Sequence, residues 1–127
     1  MPMQPINPDG LFKASFYSQG VKAAKTIYVS GQVGAAKGQV AGGGSDFGAE
    51  ARQALENIRT VVESGGGTMA NVVSLTCFMV DMELGKTLYP IIAELFPGAK
   101  PSVTAIVVKS LGSPKYKVEI QAVAVVE

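Results

Sequence analysis

At 127 residues the chain has room for one hydrophobic core and no second one. It is 47% hydrophobic and 17% charged, and its eleven basic and ten acidic residues give a formal net charge of +1. With only Arg52 and Arg59 as arginines and no Lys/Arg run, the electrostatic footprint of a nucleic-acid binder is missing; with no histidine, so are Ser-His and Cys-His nucleophile pairs and the commonest metal ligand.

The opening MPMQPINPDG lacks the basic start and apolar centre of a signal peptide. No apolar run approaches the roughly 18 residues that would span a bilayer. One cytoplasmic domain over residues 1–127, without membrane contact, is the expectation. SFYSQGVKAAKTIYVSGQVG predicts two strands, at 15–21 and 26–31, joined through the polar VKAAK; the second is bounded by Ser30-Gly31, a turn pair. GAAKGQVAGGGSD reads as a glycine-rich loop with a short strand at 39–40. Its Gly42-Gly43-Gly44 run is not followed by the Lys-Ser/Thr of a phosphate-cradling loop.

From Asp46 the period changes to that of a helix. Phe47, Ala51, Ala54, Leu55, Ile58, Val61 and Val62 form an apolar stripe, with Glu50, Arg52, Gln53, Glu56, Asn57 and Arg59 between them. Ser45 or Asp46 supplies an N-cap and Gly65-Gly66-Gly67 the stop, which predicts a helix over 46–64. VVSLTCFMV predicts a strand at 72–80, in which the single cysteine, Cys77, reads as a buried, unreactive thiol. A second helix carries Leu88, Ile91, Ile92, Leu95 and Phe96; because Pro90 lacks an N–H, the regular part is expected to begin near Tyr89-Pro90, and Pro97-Gly98 ends it. Strands at 102–109 and 117–126, separated by LGSPKY, complete an α+β order of β-β-α-β-α-β-β with one mixed sheet and two helices.

Counting faces adds a further expectation. In KVEIQAVAVV one parity holds Val118, Ile120, Ala122, Ala124 and Val126, a core face; the other holds Lys117, Glu119, Gln121, Val123 and Val125. Residues 72–80 and 103–108 are apolar on both parities, as in strands covered on both sides. Two helices cover one face of such a sheet, so the second face calls for another copy of the chain. A sheet with a few exposed valines is the plainer alternative.

FYSQGV (16–21), IYVSGQVG (27–34), EARQALENIRTVVESGG (50–66), VVSLTCFMVD (72–81), FPG before KP (96–101) and VEIQAVAV (118–125) together, in this order and spacing, resemble the Rid proteins. These are the reactive-intermediate deaminases, also called the YjgF or L-PSP family, and the resemblance covers nearly the whole chain. It implies a chorismate-mutase-like, YjgF-like fold with two helices on one face of a mixed sheet. It also implies a homotrimer whose sheets form a central barrel, with a small-molecule cleft at each subunit interface. Active members hydrolyse enamines or imines to a 2-oxo acid and ammonia, without a metal or cofactor. A protonated iminium is electrophilic enough for positioning and electrostatics to suffice.

Carried over residue by residue, the resemblance implies site roles for Tyr17, Ser30, Gly31 and Glu119, with Glu119 orienting water and backbone amides near Thr104-Ala105 holding the ligand, a 2-oxo or imino acid. The family asparagine of the second helix falls on or near Tyr89. The family's anchoring arginine, two residues after a proline, falls on Val103 in Pro101-Ser102-Val103. A bidentate Arg–carboxylate contact is worth about 2–5 kcal/mol when truncated, so ordinary 2-imino acid deamination is in doubt. The nearest cations in sequence are Lys100 and Lys109. Taken without the resemblance, Tyr17 also reads as surface packing, Ser30-Gly31 as a turn, and Glu119 as an inter-subunit hydrogen-bond partner. Two functions therefore stand side by side: an imine hydrolase, and a trimer that binds small metabolites or proteins without catalysis.

Overall fold

The computed structural model describes residues 2–98 and 100–127. Met1, in the N-terminal stretch, and Ala99, in the FPGAKP junction, lie outside the described residues. The strands are β1 (Gln4–Ile6), β2 (Gly20–Ala23), β3 (Thr26–Val33), β4 (Ala35–Ala36), β5 (Gln39–Val40), β6 (Val72–Met79), β7 (Ser102–Val107) and β8 (Val118–Val125). The helices are α1 (Phe47–Ser64) and α2 (Gly85–Leu95). Six strands form one sheet in the order β1-β2-β3-β8-β6-β7. Only β6 and β7 run parallel, because α2 crosses between them; the remaining pairs are antiparallel. The mixed α+β sheet with its two helices is the expected architecture, and β4 and β5 form a separate small hairpin.

Both helices lie on one face. The stripe of α1 (Ala51, Ala54, Leu55, Ile58, Val61 and Val62) is fully buried against Ile27, Leu75, Cys77, Val118 and Ile120, and α2 adds Leu88, Ile91 and Ile92 to the same core. Asp46 is the N-cap of α1, its carboxylate accepting from the Ala49 N–H at 3.1 Å. Arg52 clamps the two helices with two bonds to Glu94, at 2.7 and 2.9 Å.

The other sheet face is open. Tyr28 (53% exposed), Val125 and Ile106 stand on it in solvent, beside the half-buried Phe78 and Val123. Strand β7, which reads in sequence as buried on both sides, is instead the sheet edge, with all six residues exposed. Its apolar character is therefore not explained within one chain.

Several local expectations are corrected. The strand expected at 15–21 forms only from Gly20, since Phe16 (87% exposed) stands outside the core and the Gln19 side chain turns inward to hydrogen bonds. Ser30-Gly31 is not a turn: β3 runs through it to Val33. Helix α2 begins a full turn before Tyr89, entered through a short 3-10 turn (Met82–Leu84) capped by Asp81. Pro90 sits inside it, at the cost of one bond to the Lys86 carbonyl on the exposed side. Glu50 and Asn57, which read as polar-face residues, are buried. Both fall one helical repeat from Ala54 and Val61, on the stripe itself.

Candidate functional site

The sheet is interrupted where β3 meets β8. Val29 pairs with Ala122 and Gln32 with Ile120, so Ser30 and Gly31 together face the single Gln121. This is a β-bulge, a device that bends a strand and re-aims its side chains. The Ser30 hydroxyl donates to the Ser18 carbonyl at 2.6 Å, and the Ser30 N–H to the Gln19 carbonyl at 2.9 Å. The Gln32 amide donates to the Gln19 side-chain oxygen at 2.7 Å, and the Gln19 amide in turn to the Phe12 carbonyl at 2.6 Å. Both glutamines are buried and bonded, so the irregular segment before β2 is held rigidly against the bulge.

A cavity of about 740 Å³ opens at this point, with Phe12, Tyr17, Ser30, Gly31 and Glu119 on its wall and Lys37, Asn57 and Tyr116 further round. Tyr17 is braced edge-on by Phe16, ring centres 5.0 Å apart. Glu119 lies directly over Gly31, where a Cβ would run into its carboxylate oxygen. Burial pushes the Glu119 carboxyl above its ordinary value. It takes part in none of the ion pairs among the described residues. Four of the residues singled out in sequence (Tyr17, Ser30, Gly31 and Glu119) thus share one cavity within a chain.

The others do not join them. Val103 pairs in register with Leu75 and points to the helix side, whereas Glu119 pairs with Phe78 and points to the open side. Val103 and Tyr89 line a second, apolar pocket of about 240 Å³ with Ile92, Ala93, Phe96 and Pro101, and Lys100 at its edge. Thr104 and Ala105 lie between, on the exposed edge strand, and line neither cavity. Lys109 lies beyond the end of β7. Among the described residues no group of three or more His, Cys, Asp or Glu side chains could hold a metal ion, and no helix is long and apolar enough to cross a membrane.

Sequence reasoning missed Gln19, Gln32, Asn57 and Lys37. A polar Asn57 on the apolar stripe of α1 was a readable signal. Lys37-Gly38 between the short pairs Ala35-Ala36 and Gln39-Val40 was a weaker one, and the two glutamines gave none.

The fold is that of the YjgF-like α+β proteins. It superposes on the Yersinia pestis protein YyfA of the conserved Rid protein family, of unknown function, with a TM-score of 0.91 at 26% identity over 98% of this chain and 100% of that one. It superposes on the E. coli YjgF gene product with a TM-score of 0.85 at 28% identity, over 98% and 99% of the two chains. The family described as Endoribonuclease L-PSP matches residues 11–126, and the chain belongs to this family, which is the Rid/YjgF family. Among its relatives are the mouse 2-iminobutanoate/2-iminopropanoate deaminase, 39% identical over 86% of this chain and 80% of that protein. Another is the mitochondrial protein mmf1 of Schizosaccharomyces pombe, 33% identical over 94% and 74%.

Proposed function

We propose that the protein is a cytoplasmic homotrimer that hydrolyses small imines or enamines in clefts between its subunits. The observation that carries this reading is the unpartnered Glu119 carboxylate, half-buried over Gly31 at the wall of a cavity large enough for a metabolite. A carboxylate with a raised proton affinity is a competent base for orienting water. Water adds to the C=N carbon, the resulting carbinolamine loses ammonia as its C–N bond breaks, and the carbonyl product remains. The deaminase name of the mouse relative supports this chemistry.

The trimer is supported by the uncovered apolar face around Tyr28 and Ile106 and by the apolar edge strand β7. Association would bring the Val103–Tyr89 pocket of one copy against the Glu119 cavity of the next. Amides near Thr104 and Ala105 would then reach the ligand. With valine at the position that the family resemblance assigns to the anchoring arginine, simple 2-imino acids are poor substrates.

The test is ammonia release from enzymatically generated 2-iminopropionate, for the unchanged protein and for Val103→Arg. Val103 is 43% exposed, so the longer side chain meets no packed core. A weak rate that rises about tenfold or more with the arginine supports the reading. A single-chain species at micromolar concentration in sedimentation would remove the cleft. The second reading, a trimer that binds metabolites or proteins without turnover, is favoured by the mostly apolar pocket around Val103, which has no arginine. It predicts binding of 2-oxo acids with no ammonia release from either form.

A further inference from the structure

The cavity wall carries two charged side chains, Glu119 and Lys37, and only one of them has a role in the reading above. Lys37 stands at the tip of a hairpin. Ala35 pairs with Val40 and Ala36 with Gln39, which leaves Lys37-Gly38 as a two-residue loop. Both loop residues have positive φ, 54° and 78°, the pattern of a type I′ turn. That conformation favours asparagine or glycine at the first position, and a lysine there is uncommon. Turn geometry therefore does not account for the residue.

The hairpin is firmly rooted. The Asn57 amide donates to the carbonyls of Val33 and Ala35, at 3.1 and 3.0 Å, and the Ala41 N–H to the Gly34 carbonyl at 2.9 Å. Neighbouring cations are engaged elsewhere: Lys117 donates to the Gly44 carbonyl at 3.0 Å, and Lys115 lies 5.3 Å over the Tyr116 ring. Lys37 takes part in none of the ion pairs among the described residues.

We infer that Lys37 anchors the anionic end of the ligand, holding a carboxylate at the hairpin while the ligand body lies along Phe12 and Tyr17 toward Glu119. This rests on the reading of the Glu119 cavity as the binding site and deepens it. A wall with one cation and one anion fits a zwitterion, as in a protonated imine that bears a carboxylate. The lining points to the substrate class. Phe12, Tyr17 and Tyr116 put aromatic rings on the wall beside the two charges, and such faces take an apolar or aromatic ligand body. The ligand is a carboxylate with a large apolar or aromatic side chain.

Phenylpyruvate is the probe, with phenylacetone as its counterpart lacking the carboxylate, and binding is read by calorimetry on the full-length protein. Lys37→Asn removes the charge while supplying the residue that the turn prefers, so folding is spared; Lys37→Arg keeps the charge. Lys37→Asn is expected to weaken phenylpyruvate about tenfold, Lys37→Arg to restore it, and phenylacetone to bind all three forms alike. Raised ionic strength should weaken phenylpyruvate binding to the unchanged protein and leave Lys37→Asn unaffected. Equal binding of phenylpyruvate to the unchanged protein and Lys37→Asn overturns the inference, as does no binding to either. Ammonia release separates this from the hydrolase reading. Turnover of imines with Lys37→Asn unimpaired leaves a hydrolase without this anchor. Lys37-dependent binding with no turnover of any imine leaves the anchor without hydrolysis.

Discussion

Two carboxyl groups approach the start of β8 from opposite faces of the sheet, and the structure treats them in opposite ways. Glu50 reaches in from α1 and is 1% exposed; its Oε2 accepts the N–H of Lys117 at 2.7 Å and of Val118 at 3.3 Å. Glu119, the next residue along β8, stands on the open face, half-buried and without an ion-pair partner. A buried acceptor that satisfies two backbone donors is a clamp. A half-buried carboxylate that satisfies nothing is desolvated without compensation, and fold stability alone gives no reason to keep it. Burial alone would have ranked these two residues the wrong way round as site candidates. The bonding of their oxygens separates them.

The comparison breaks most visibly at Glu50. Glu50→Ala takes the carboxylate acceptor from the buried Val118 N–H and the part-buried Lys117 N–H and opens a void, an expected loss of about 3–5 kcal/mol. Glu50→Gln keeps an amide oxygen in place and should lose about 1 kcal/mol. Urea unfolding at fixed protein concentration measures both. If the two variants unfold at the same midpoint, the clamp is not what Glu50 provides.

Two glycines sharpen the contrast at smaller scale. A Cβ at Gly34 would overlap the backbone carbonyl of Glu50, which α1 holds in place, whereas a Cβ at Gly31 would meet only the far end of the Glu119 side chain. Gly34→Ala is therefore expected to destabilise by about 2–4 kcal/mol. Gly31→Ala should change the unfolding midpoint little, because a half-exposed side chain swings aside at a cost below about 1 kcal/mol. It should nonetheless lower 2-oxo acid binding or ammonia release about tenfold, since the carboxylate has moved. Equal loss of stability in both variants would place Glu119 among the supports of the fold.

Much of the fold was legible because its signals are local and periodic. The 3.6-residue stripe of α1, its Asp46 cap and the alternation of Val118, Ile120, Ala122 and Ala124 each name a face without knowledge of any partner. The misreadings occur where tertiary contacts override local pattern. Ser30-Gly31 has the composition of a turn, but its pairing with β8 makes it a bulge, and only the register with Ala122 and Ile120 reveals this. Glu50 is polar, but its donors come from residues far along the chain. Tyr17, Ser30, Gly31 and Glu119 were reached through family resemblance, and the cavity gathers them. Val103 lies on the other face because β7 alternates in step with Leu75 and Cys77, and Tyr89 lies there because α2 packs on that face. Lys37 escaped notice because its relevance depends on where a two-residue hairpin points, which no periodicity encodes.

The smallest expected effect lies in the pH dependence of stability at Glu119. Burial raises its carboxyl above the ordinary value of 4.5, so the folded protein holds this proton more tightly than the unfolded chain. Stability from this group is then greatest below pH 4.5 and falls as pH rises through the raised value, with no further change above it. Glu94 works the other way, since the Arg52 guanidinium lowers its carboxyl and its contribution fades in acid. The difference between the unchanged protein and Glu119→Gln cancels that background. The variant should match the unchanged protein at about pH 4 and unfold at slightly higher urea at about pH 7. A variant less stable at neutral pH would mean that the ionised carboxylate has a partner in the assembled protein. A variant more stable yet inactive toward imines would mark Glu119 as a charge kept for chemistry against the interest of the fold.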